Sequence, residues 1–346
     1  MEKLSFASDY LEGAHGRILE RLTQINLQKN TGYSMDEHCA SAREKIRAAC
    51  ACPQAEIHFL VGGTQTNAMI IQYLLPAYQG VIAPSTGHIA THEAGAIEHG
   101  GHKVIPVPEY NGKLHAHDVE NLVKSFQNDG NREHMVMPGM VYISQPTEDG
   151  TLYSLQELEA ISKVCRENSM YLYVDGARLA YALACPDNDV TLPDLARLCD
   201  VFYIGGTKCG AMMGEAVVFP KPGLIPHFYT LTKQHGAMLA KGWLLGLQFD
   251  VLFTDNFYEN IGKNAVRYAD AIRQKAAEKG WTLRFDSPTN QVFVELPDNV
   301  LKKLEEKVSV SFWEKSGENS TIIRFATSWA TTAEDVEKLL LVLDSI

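Results

Sequence analysis

From Ile57 onward, short runs of apolar residues alternate with longer stretches whose apolar positions recur at helical spacing. Such alternation reads as repeated βαβ units and therefore as an α/β fold around a mostly parallel sheet. It predicts strands at 57–61, 81–83, 103–106, 140–144, 171–175, 201–204 and 216–219, with helices near 66–75, 117–127, 155–168 and 192–199 between them. Ahead of this region, a turn-rich opening from Asp9 to Gly16 leads into an amphipathic helix from about Arg17 to Gln28. A second helix follows, with Asp36 and Glu37 near its start, where the helix dipole favours acids. Beyond Pro226 the pattern becomes helical for longer, over 238–253 and 257–279. Past Trp281 it alternates again: strands at 282–285, 290–295, 308–312 and 321–326, a helix near 300–306, and a closing helix from Ala333. The chain thus divides into an N-terminal arm with a large domain, residues 1–255, and a small C-terminal α/β domain, residues 256–346. It shows no internal repeat and no low-complexity linker.

Composition narrows the function classes. A chain of 346 residues with net charge −11 lacks the clustered lysine and arginine that phosphate backbones require, so small ligands are the expected partners rather than nucleic acid. No apolar run approaches the ~20 residues that span a bilayer, and Met1–Asp9 has no secretory core. Seven cysteines, an odd number, read as free thiols in a reducing compartment, and the expected location is the cytoplasm.

Candidate chemistry concentrates at strand ends. Lys208 lies in a small-residue loop, Gly205-Gly-Thr-Lys-Cys-Gly210, straight after the apolar run from Val201. A lysine hemmed in by glycines is partly desolvated, loses affinity for its proton and so gains the capacity to form a Schiff base, although most lysines simply sit on surface turns. About thirty residues earlier, the run Tyr171–Val174 ends in Asp175-Gly-Ala-Arg178. An aspartate and a lysine facing each other across a cleft at the sheet's carboxyl edge suit pyridoxal phosphate. The acid holds the pyridine nitrogen protonated and the lysine carries the aldehyde. Gly62-Gly-Thr-Gln-Thr-Asn67 opens a helix after the first strand of the large domain, which places amides and the Thr64 hydroxyl at a positive helix end suited to a phosphate, or else forms an ordinary N-cap turn. His88 could lay its ring on a heteroaromatic cofactor, with His92 one turn on; a metal held by this pair lacks a third ligand nearby.

Taken in order, Gly63-Thr64, Gly87-His88, Glu93-Ala-Gly-Ala96, Asp175-Gly-Ala-Arg178, Thr207-Lys208 and Ile323-Arg-Phe-Ala-Thr-Ser-Trp329 resemble the threonine aldolase family, a branch of the fold-type I pyridoxal-phosphate enzymes. The resemblance covers most of the chain. It implies that Gly63 and Thr64 bind the cofactor phosphate, His88 stacks on the ring, Asp175 holds its nitrogen and Lys208 carries the aldehyde. It further implies that Arg178 and Arg324 serve the substrate carboxylate with help from Ser8, and that homo-oligomers form. Arginine suits that role because its planar fork meets a carboxylate with two parallel hydrogen bonds.

Three positions depart from the family pattern. Ala7 replaces an arginine, and Ala240 replaces another that reaches a neighbouring subunit's phosphate, which leaves Lys233 and Lys241 as candidates there. Where many members carry a histidine, this chain reads Ser144-Gln-Pro-Thr-Glu-Asp-Gly150. Glu148, Thr147, His92 and His15 are the candidate replacements for that proton acceptor. The expected activity is cleavage of L-threonine or its allo isomer to glycine and acetaldehyde. The alternatives are β-elimination or racemisation with the same cofactor, or ligand binding without turnover.

Overall fold

The computed structural model describes residues 3–346. A seven-stranded sheet runs in the order Glu56–Leu60, Glu215–Phe219, Val201–Gly205, Tyr171–Asp175, Met137–Ser144, Gln79–Pro84, Val104–Val107. Glu215–Phe219 is antiparallel to both its neighbours, and the remaining pairings are parallel. Side chains alternate between the two faces along each strand, which splits the apolar residues into two cores. Val141, Ile143, Leu172, Val174, Phe202 and Ile204 pack with Val119, Leu158 and Ile161 from the helices on one face. Met140, Tyr142, Tyr173 and Tyr203 pack on the other face with Met69, Ile70 and Leu74 of the Gly63–Leu74 helix. By the same parity Asp175 shares the tyrosine face, and this places the site.

The C-terminal unit is a four-stranded antiparallel sheet, ordered Ser311–Lys315, Ser320–Ala326, Gln291–Pro297, Thr282–Leu283. Its apolar face meets the Lys263–Glu278 and Ala333–Asp344 helices through Val292, Val294, Ile323, Ile272 and Leu339. Leu4–Ser5 pairs in parallel with Val308–Ser309, so the N-terminal arm is seated on this unit.

Several elements differ from the sequence expectation. The helix expected over 257–279 is two helices, Phe257–Ile261 and Lys263–Glu278, meeting at Gly262. A Cβ on Gly262 would stand 2.7 Å from the Ala180 carbonyl oxygen, so the chain turns where a close backbone approach admits only glycine. The strand expected at 308–312 is divided, because Val308–Ser309 pairs with the arm and Ser311–Lys315 with Ser320–Ala326. The helix expected from 238 begins at Trp243, and the short helices Leu179–Ala184 and Phe228–Gln234 are additional. All seven cysteines are free and buried, and among the described residues no helix is long and apolar enough to cross a membrane.

Candidate active site

Two adjoining cavities open at the carboxyl ends of the parallel strands. The inner one, of about 300 Å³, is lined by Gly63, Thr64, His88, Asp175, Tyr203 and Lys208 among others. The outer one, of about 410 Å³, lies toward the C-terminal unit and is lined by Ser311, Trp313 and Arg324 together with His88 and Lys208.

Asp175 ends its strand buried beneath the inner cavity. Its Oδ2 accepts hydrogen bonds from the Tyr142 hydroxyl at 2.7 Å and Asn67 Nδ2 at 3.2 Å; its Oδ1 accepts from the Tyr203 hydroxyl at 2.5 Å and the Ala177 amide at 2.9 Å. Neutral donors alone hold it in one orientation. Lys208 lies in the loop after Val201–Gly205, its backbone carbonyl accepting from the Tyr181 hydroxyl at 2.6 Å. Burial, reinforced by the Arg178 charge, pushes the Lys208 amine below the usual lysine range. Glu215 lies under the same loop, accepting from Thr207 Oγ1 at 2.8 Å and the Gly206 amide at 3.0 Å, and burial pushes its carboxyl up.

Gly62 caps the Gly63–Leu74 helix without a side-chain hydrogen bond, leaving the amide end of a twelve-residue helix facing the cavity. Gly63 is a steric necessity here, since a Cβ would stand 2.9 Å from the Tyr203 hydroxyl that binds Asp175. His88 lines both cavities, and its Nδ1 pairs with the buried Glu93 Oε1 at 2.8 Å. Burial opposes the imidazolium, but the Glu93 hydrogen bond and the Asp175 charge outweigh it and raise the His88 pKa.

Arg178 is bound in a fork by Asp9, at 2.6 Å from Nε and 3.0 Å from Nη2. Arg324 donates from Nη1 to Gln291 Oε1 at 2.9 Å and from Nη2 to the Ala7 carbonyl at 3.1 Å and Ser311 Oγ at 3.2 Å, while its buried Nε has no partner. None of these partners is a carboxylate. Burial next to Arg178 pushes its pKa down to about 10. The Ser8 hydroxyl is likewise buried and without a partner.

The family model described as Beta-eliminating lyase matches residues 5–296. The chain belongs to the beta-eliminating lyase family. It is 29% identical over 340 residues to the low specificity L-threonine aldolase of Pseudomonas aeruginosa, covering 96% of this chain and 95% of that one. A solved structure of Leishmania major threonine aldolase is 42% identical, with a TM-score of 0.95 over 99% of this chain and 98% of that one. A variant of Thermus thermophilus aspartate aminotransferase shares the fold alone, at a TM-score of 0.74 and 16% identity, over 99% of this chain and 91% of that one. The architecture of this family member is therefore the expected α/β fold of fold-type I enzymes.

Of the residues singled out in the sequence, Gly63, Thr64, His88, Asp175, Arg178, Lys208 and Arg324 line one or both cavities. Ser8 and Lys233 do not; Lys233 is exposed, its ammonium 4.6 Å from the centre of the Tyr33 ring. Asp9, Asn67, Tyr142, Tyr203 and Glu215 were not expected at the site. A period-two count along the strands would have brought Tyr142 and Tyr203 to the Asp175 face. The Asp9–Arg178 pair, joined across 169 positions, leaves no local signal.

Proposed function

We propose that the protein is a pyridoxal-phosphate-dependent aldolase that cleaves L-threonine or L-allo-threonine to glycine and acetaldehyde. The single observation carrying this reading is a cleft in which Lys208, Asp175 and Arg324 converge and none has an oppositely charged partner within the described residues. Each is thereby available to a ligand carrying an aldehyde, a protonated ring nitrogen and a carboxylate. The residues present fit the cofactor: the uncapped helix end at Gly63 and Thr64 suits its phosphate, and His88 its ring face. When bound, pyridoxal phosphate supplies an aldehyde for Lys208 and a conjugated ring that takes up the electron pair of a broken bond at the amino acid's Cα.

The chain's own residues do the rest. The depressed pKa of Lys208 leaves more of its amine unprotonated near neutrality, as attack on an aldehyde requires. Asp175, fixed by its two tyrosines and Asn67, keeps a proton on the ring nitrogen. Arg324, which lines the outer cavity with no carboxylate on its guanidinium, is the donor offered to the substrate carboxylate. Pinning that carboxylate fixes which Cα bond stands perpendicular to the ring, and hence which one breaks.

Incubating the purified protein and pyridoxal phosphate with L-threonine, L-serine or L-alanine tests the reading. Acetaldehyde from threonine is expected; pyruvate from serine or D-alanine from alanine, without acetaldehyde, would replace aldol cleavage by elimination or racemisation. Lys208→Ala should abolish turnover together with the visible absorbance band that borohydride erases in the unsubstituted protein.

A further inference from the structure

Cleaving a β-hydroxy amino acid requires a group that removes the β-hydroxyl proton, and five side chains compete for that task. His15 lines neither cavity; it packs against Phe257 and Trp329 and accepts from the Arg17 amide. Thr147 lines neither, its hydroxyl shared with Thr151 at 2.8 Å. His92 is exposed and reaches only the outer cavity. His88 lines both cavities, but its Nδ1 is held by Glu93 and its ring is the face that the aldolase reading gives to the cofactor.

Glu148 lies where the two cavities meet, lining both together with Lys208 and Arg178. Its Oε1 accepts from Ser144 Oγ at 2.7 Å and from the His88 amide at 2.8 Å, while its buried Oε2 has no partner. Its loop is tied to the C-terminal unit: Gln291 donates to the Glu148 carbonyl at 3.2 Å, and Thr289 to the Gly150 carbonyl at 2.9 Å. The carboxylate is thus held from two sides with one oxygen unused, at the junction between the cofactor cavity and the carboxylate-binding Arg324.

We propose that Glu148 is the catalytic base that accepts the substrate's β-hydroxyl proton, in the loop where the family resemblance leads one to expect a histidine. The step rests on the aldolase reading and balances as follows. The O–H electron pair becomes the second carbon–oxygen bond of acetaldehyde, and the proton passes to Glu148 Oε2. The Cα–Cβ bond breaks with its electron pair left on Cα, which then takes up one proton as Glu148 returns its own to solvent. Burial raises the Glu148 pKa, which strengthens it as a base relative to an exposed carboxylate.

Glu148→Gln keeps the acceptor oxygen facing Ser144 and His88 and removes the basicity. Three measurements on the cofactor-loaded protein test the proposal: acetaldehyde release from threonine, exchange of the glycine α-hydrogen with deuterium by NMR, and glycine affinity by calorimetry. Exchange and affinity involve no β-oxygen. The expected result is loss of cleavage by about 100-fold or more, with exchange and affinity within about threefold of the unsubstituted protein. Cleavage within about threefold would overturn the proposal, and so would an equal loss of cleavage and exchange, which would make Glu148 structural. Unsubstituted protein that exchanges glycine but never cleaves threonine would instead remove the aldolase reading itself.

Discussion

Asp9 shows how a single residue organises this site. It is fully buried and accepts from Arg178 and from Asn290 Nδ2, at 2.9 Å for the latter. Burial works against its charge, but Arg178, Lys208 and Arg324 together hold the carboxyl well below the usual range. Breaking such a pair strands a buried guanidinium, so Asp9→Asn should cost about 3–5 kcal/mol, read as a lower urea midpoint at pH 7. The pH dependence follows from the sign of the shift. A carboxyl with a depressed folded pKa contributes stability that is fully present above its unfolded value of about 4 and is lost as pH falls toward the folded value. Urea titrations between neutrality and pH 3 should therefore show a shallower acid loss for Asp9→Asn than for the unsubstituted protein.

At the scale of elements, the helix starts expected at 155, 192 and 333 fall where the structure has them. Ser154, Thr191 and Thr332 each form a capping box with the acid three residues on, a hydrogen-bond pattern readable from spacing alone. Ser154→Ala should lower stability by about 1 kcal/mol in the same urea measurement, with threonine cleavage unchanged. Strand existence was legible too, because apolar runs of four or five residues between longer helical stretches are of strand length and too short for an ordinary helix. The break at Gly262 was not, since its cause is the Ala180 carbonyl packed against it from another helix.

At the scale of the molecule, the C-terminal unit is tied to the loop that follows the Met137–Ser144 strand. Gln291 bridges that contact, accepting from Arg324 on one side and donating to the Glu148 carbonyl on the other. Gln291→Ala should raise KM for L-threonine about tenfold, the equivalent of one hydrogen bond to a charged group, while glycine exchange at saturation changes little. The N-terminal arm belongs to the same assembly. Its Leu4–Ser5 strand pairs with Val308–Ser309, which places the Ala7 carbonyl on Arg324 and Asp9 on Arg178.

The sequence by itself determined the alternating strands and helices, the glycine-rich turn before a helix and the lysine after a strand, since each depends on residues a few positions apart. Their convergence follows from parallel strands whose carboxyl ends share one edge, and this too could be read in advance. Only the tertiary structure decided which charges are already paired, because Arg178 meets an acid from the N-terminal arm, 169 positions away, while Arg324 meets none. The same holds for Glu148, whose place between two cavities depends on chain segments 143 positions apart.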